Sequence, residues 1–175
     1  RFAAYLHAHG MDVVTYDYRG IGASRPPASL RRLPASWYDW GELDCEGALR
    51  HVLAAFPGQP LDVVAHSIGG FALGLAPSND RVRRAFTMGS QFAYWRDYRP
   101  ELRRGMLLKW HLVMPLLAVA LGYVPAKRLG WMEDTPRGVA LDWSTMRPGF
   151  EQSFRHRSPR GRRLAAERRA RFGQL

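Results

Sequence analysis

The stretch Leu61 to Phe71, LDVVAHSIGGF, constrains this chain more than any other. Its first half carries Leu61, Val63, Val64 and Ala65, a short run rich in β-branched residues that favours a strand. Ser67 follows, then Gly69-Gly70 and a second apolar segment. That segment, Ile68 to Ala76, predicts a helix of about two turns that stops at Pro77, because proline cannot continue it. A strand that breaks at a serine and runs into a helix sets the hydroxyl at the helix N-terminus. Free backbone N–H groups and the helix dipole favour negative charge there. Ala65 and Gly69, two before and two after the serine, are small enough to let the chain turn tightly. The competing reading is an ordinary strand–helix turn that happens to hold a serine.

The flanking segments predict an alternating order. Arg1–His9 reads as the end of a helix stopped by Gly10, and Asp12–Asp17 (DVVTYD) as a strand that runs into a turn at Gly20–Gly22. A helix is expected from Asp39, with Glu42 completing a capping box. Its apolar face is Cys45, Ala48, Leu49, Val52, Leu53 and Phe56. Arg81–Met88 reads as a further strand closed by Gly89-Ser90. Helix and strand in alternation imply an α/β fold with a parallel sheet. Chemistry then belongs at the carboxyl ends of the strands, where Ser67, the Gly20–Gly22 turn and Gly89-Ser90 lie.

Three regions follow: a core over 1–90, a helical insert over 91–146 and an arginine-rich tail over 147–175. The insert holds Trp95, Trp110, Trp131 and Trp143, with helical pieces separated by Pro100, Pro115, Pro125 and Pro136. It reads as a cap over the serine, or else as core helices with no substrate role. The tail carries nine arginines and two glutamates, most of the net charge of +11. It reads as a disordered segment or a non-native continuation. No aromatic–basic platform accompanies it, so no nucleic-acid partner is expected. Cys45 is the single cysteine, which excludes a disulfide framework or a cysteine-based zinc site. The apolar window Leu112–Val124 is short of the ~20 residues of a membrane span, so no transmembrane segment is expected. No signal peptide is seen, and a cytoplasmic location is expected.

Ala65-His66-Ser67-Ile68-Gly69 resembles the nucleophile elbow of the α/β-hydrolase superfamily, with alanine at the first glycine position. Tyr16-Asp17-Tyr18-Arg19-Gly20-Ile21-Gly22-Ala23-Ser24 resembles the D-x-R-G-x-G-x-S turn of its serine-aminopeptidase-like members. Trp40-Gly41-Glu42-Leu43-Asp44, Gly74-Leu75-Ala76-Pro77 and the Trp110-His111 region are similar to an uncharacterised bacterial branch of them. The resemblance implies a partial α/β-hydrolase fold with a helical cap. It also implies acyl transfer by Ser67 as nucleophile, with the backbone N–H of Ile68 as one oxyanion donor. The substrate would be an ester, thioester or amide of a small apolar acyl group.

The chain departs from the superfamily in its partners for the serine. The order should be Ser, then Asp or Glu on a later strand, then His. Beyond Asp142 there is no aspartate, and the histidines after Ser67 are His111, in the insert, and His156, in the tail. His66 adjoins the serine and points away from it. No acid and no base are therefore assigned. A partial chain is expected, without the first strands and oxyanion loop and without the last strands, with a frame shift near Arg147 as one account. Without the strand that belongs between Val13–Asp17 and Leu61–Ala65, backbone groups lack partners and the chain should be marginal or aggregation-prone. No metal or organic cofactor is expected. Three readings stay open: a serine hydrolase, a non-catalytic remnant or binding module of the fold, and a peripheral protein anchored by its basic tail.

Overall fold

The computed structural model of the chain describes residues 2–90, 93–149, 152, 153 and 163. α1 spans Phe2–Ala8 and ends at Gly10, whose φ of +82° supplies the left-handed stop. The strand expected over Asp12–Asp17 is not formed: the segment carries no ladder pairing. β-branched residues favour a pleated neighbour rather than a backbone shape of their own, and no described strand lies beside this one. Val14 and Tyr16 are left exposed.

The next helical run begins earlier than its sequence suggested. α2 (Trp37–Asp39) is capped by Ser36, whose Oγ accepts the Asp39 N–H at 3.2 Å and donates to the Asp39 carboxylate at 2.7 Å. The expected start at Asp39 is thus corrected to Ser36, since Ser36-x-x-Asp39 satisfies a free N–H that Asp39 would leave open. A π turn (Trp40–Cys45) leads into α3 (Glu46–Ala55). Cys45 and Leu49 are buried on the expected face, packed with Ala72, Leu73, Ala76 and Val82. Full burial of a side chain such as Leu73 contributes about 1.5–3 kcal/mol.

β1 (Leu61–His66), α4 (Ile68–Leu75) and β2 (Val82–Met88) form the parallel unit that alternation predicted. Val63 pairs with Ala85 and Ala65 with Thr87, with an irregularity between Leu61 and Asp62. Among the described residues β1 has β2 alone beside it. One face of the pair carries Val64, Phe86 and Met88 to solvent.

The insert is built from α5 (Pro100–Leu108), a π turn (Lys109–Val113) and α6 (Met114–Leu121), which run on as one helix over Pro100–Leu121. Pro115 does not separate two pieces as expected. It falls at the start of α6, just after the π turn, where the wider hydrogen-bond pattern absorbs its missing N–H. This helix is 22 residues long and apolar enough to cross a membrane by length and composition. Leu108, Leu112, Leu116 and Val119 are exposed along it. β3 (Tyr123–Val124) and β4 (Thr135–Pro136) form a short antiparallel pair, and α7 (Arg137–Trp143) follows. α7 does not stand apart from the first half of the chain. Val139 and Met146 share a core with Ala35, Trp37, Tyr38, Phe71 and Leu75, and Gly138 lies so close to the Ala35 carbonyl that a side chain has no room. Most of the arginine-rich tail lies outside the described residues. Within it Ser153 is buried and accepts the Arg147 N–H, and Arg163 pairs with Glu42.

Candidate active site

Ser67 follows β1 and precedes α4 with φ 52° and ψ −118°, a conformation that an L side chain rarely adopts. Three features hold it there. Its N–H donates to the Met88 carbonyl at 2.9 Å, which extends the parallel ladder one residue into the turn. Gly69 lets α4 come close: a Cβ there would lie 3.3 Å from the Ala65 Cβ. Gly70 sits against Ser90 and Thr87, and a Cβ would meet Ser90 Cβ at 2.8 Å. Both glycines of the motif therefore serve close packing under the turn.

The other motif segments brace this elbow from behind. Arg19 donates from its guanidinium to Asp44 Oδ1 at 2.7 and 2.9 Å, and its backbone N–H donates to Asp44 Oδ2 at 3.0 Å. Trp40 Nε1 donates to the Arg19 carbonyl at 3.1 Å, and the Tyr18 and Trp40 rings stack with centroids 4.9 Å apart. Asp17 accepts the Ala23 N–H at 2.9 Å and so closes the Gly20–Gly22 turn. Gly41 lets the π turn touch α4 at Leu75, where no Cβ fits. Tyr18 approaches the elbow at Gly69, its hydroxyl 3.8 Å from where a Gly69 Cβ would stand. Burial, the largest influence, raises the Tyr18 hydroxyl to a pKa of about 12; burial also raises that of the Cys45 thiol.

Ser67 and Ile68 open onto a cavity of about 220 Å³ whose far wall comes from the insert. Trp37, Trp110, Trp131 and Trp143 line it, with Tyr98 and Lys109. Trp110 stacks on Trp143 at 4.8 Å, and Trp37 meets Trp143 edge-on at 5.7 Å. Ala93, with φ 52°, also lines the cavity. Ile68 is the first residue of α4, where no intrahelical carbonyl stands behind its N–H. A hydroxyl and an open N–H at a helix start suit a group that develops negative charge on oxygen.

Neither histidine weighed from the sequence and described here lines this cavity. His66 is exposed at the end of β1. His111 Nδ1 lies 2.5 Å from the Ser144 carbonyl, so it carries the proton and donates. Its Nε2 is then a buried acceptor without a partner among the described residues. His156 lies outside the described residues. Among the described residues no carboxylate lines the cavity, and no cluster of three His, Cys, Asp or Glu could hold a metal ion.

Ser67 and Ile68, named from the sequence, line the cavity, and so do Lys109, Tyr98 and Ala93, for which the sequence signals no role. The tryptophans of the insert were visible as composition, but not their convergence on the serine. Nothing in an alanine signals positive φ.

No curated protein and no solved structure matches the chain. A family model described as alpha/beta hydrolase fold matches residues 1–166. That match spans the elbow, the segments that brace it and the insert, and runs into the arginine-rich region. Hydrolysis in general is the activity it supports. The chain belongs to the alpha/beta hydrolase fold family.

Proposed function

We propose that this protein is a serine hydrolase that cleaves an ester, thioester or amide through an acyl-enzyme on Ser67. The observation that carries the reading is the strained turn at Ser67, φ 52° at the junction of β1 and α4, facing a cavity. Strain of this kind costs about 1–3 kcal/mol and persists where surrounding structure enforces it. Here it lifts a hydroxyl out of the ladder toward open space. Attack by Ser67 Oγ on a carbonyl would place the oxyanion near the Ile68 N–H at the start of α4. The aromatic lining suits a small apolar acyl group. The D-Y-R-G-I-G-A-S and A-H-S-I-G-G motifs support a place in the serine-aminopeptidase-like branch.

A second reading is favoured by one observation: no histidine and no carboxylate lines the cavity among the described residues. It makes the protein a binding module that keeps the elbow without its acid and base. Short-chain nitrophenyl esters separate the two. The hydrolase reading expects turnover that Ser67→Ala abolishes. A folded chain without turnover, or turnover equal in Ser67→Ala, leaves the binding module.

A further inference from the structure

Lys109 stands in the wall of the Ser67 cavity and has a setting unlike that of any other described cation. Its ammonium lies 4.5 Å from the Trp110 ring centroid and 4.4 Å from that of Trp131. Two indole faces hold the charge in position by cation–π attraction. They do not take its hydrogen bonds: among the described residues no carboxylate pairs with Lys109 and no acceptor receives its N–H groups. Lys127, the other lysine, pairs with Glu133 at 3.4 Å. Burial lowers the pKa of Lys109, the mark of a charge partly stripped of water.

The Nε1–H groups of Trp37, Trp110 and Trp143 are buried behind the rings, with no acceptor among the described residues. Each belongs to a residue of this cavity. A buried donor left open costs about 1–3 kcal/mol. The cavity thus offers an ammonium and a serine hydroxyl beside aromatic faces, and among the described residues no carboxylate lines it. At about 220 Å³ it is smaller than the roughly 300–1,000 Å³ of drug-sized sites.

We propose that Lys109 is an anion-recognition residue of this cavity, and that the preferred ligand is a small aromatic or apolar molecule bearing a carboxylate. The carboxylate meets the ammonium, and the apolar body lies on the tryptophan faces. The inference rests on the Ser67 reading only in taking this cavity as the substrate site. Lys109 selects there which acyl compounds are held and takes no part in bond cleavage.

The test uses 3-phenylpropionate and its neutral amide, titrated into the full chain and read by tryptophan fluorescence. The carboxylate is expected to bind about tenfold more tightly than the amide, the worth of one modest charge-assisted contact. Lys109→Met should bring the ratio to about one, and Lys109→Arg should keep most of it. Lys109→Gln replaces the methionine variant if circular dichroism shows that variant unfolded. A ratio near one in the parent chain, a ratio unchanged in Lys109→Met or Lys109→Gln, or no binding of either compound overturns the proposal. Ser67→Ala should keep the ratio. If Ser67 proves unreactive while the preference stands, the hydrolase reading alone falls; if Ser67 reacts and no preference exists, this proposal alone falls.

Discussion

Ser67 and Ala93 share one backbone property: each has φ 52°, and they are the two non-glycine residues with positive φ among those described. Both line one cavity. Such conformations gather where ligands are held, because elsewhere selection has no reason to keep them. Ser67→Gly should therefore raise stability by about 1 kcal/mol, or ~2–4 °C in Tm for a chain of this size. Ser67→Ala keeps a Cβ and should leave Tm unchanged. Thermal melts of the pair check this. Equal Tm in the glycine and alanine variants would mean the turn carries no strain.

Gly70 and Ser90 make a second testable contact. Gly70→Ala puts a Cβ 2.8 Å from Ser90 Cβ, and overpacking of this sort costs about 1–3 kcal/mol. Adding Ser90→Gly should recover most of that loss. Urea midpoints of the two single variants and the double variant give the coupling. Additive losses would contradict the contact.

The Arg19–Asp44 pair should matter more than an ordinary surface bridge. Asp44 has 14% of its side chain exposed and accepts three hydrogen bonds from the Arg19 guanidinium and one from its backbone N–H. Asp44→Ala leaves a guanidinium partly buried without its partner and should cost about 2–3 kcal/mol. Asp62→Ala removes the exposed bridge to Arg83 and should cost far less, because solvent screens that pair. A loss at Asp44 no larger than at Asp62 would remove the brace from the account.

Stability should fall in alkali. The Tyr18 hydroxyl titrates at about 12 in the folded chain against an ordinary value of 10, because burial disfavours its charged form. An acid whose folded pKa is raised contributes stability that is complete below the unfolded value and is lost as pH climbs through the folded one. Between pH 10 and 12 the loss from Tyr18 should approach ~2 kcal/mol. The buried Cys45 thiol acts in the same direction. Urea midpoints at pH 8 and pH 11 measure the fall, and Tyr18→Phe should flatten it. A midpoint independent of pH would contradict the buried setting of Tyr18.

The parallel unit was legible because both its signals are local. Leu61–Ala65 and Arg81–Met88 are strands by composition, and Pro77 marks the end of α4 from the sequence. Asp12–Asp17 has the same composition and forms no strand, since pairing depends on a neighbour that residue chemistry does not reveal. The helix starts at Ser36, three residues before Asp39, because the Ser36 side chain caps it while Asp39-Glu42 only imitates a cap. In the site, Ser67 was visible as a motif. Lys109 was not, because its role depends on the Trp110 and Trp131 rings converging on it.

The most direct measurement is reaction of the full chain with a fluorophosphonate probe, with the modified peptide located by mass spectrometry. Reaction requires a serine hydroxyl that is both open to the cavity and activated. The account predicts labelling on Ser67 that is lost in Ser67→Ala. Labelling that persists in Ser67→Ala, or a folded chain that takes no label, would contradict it.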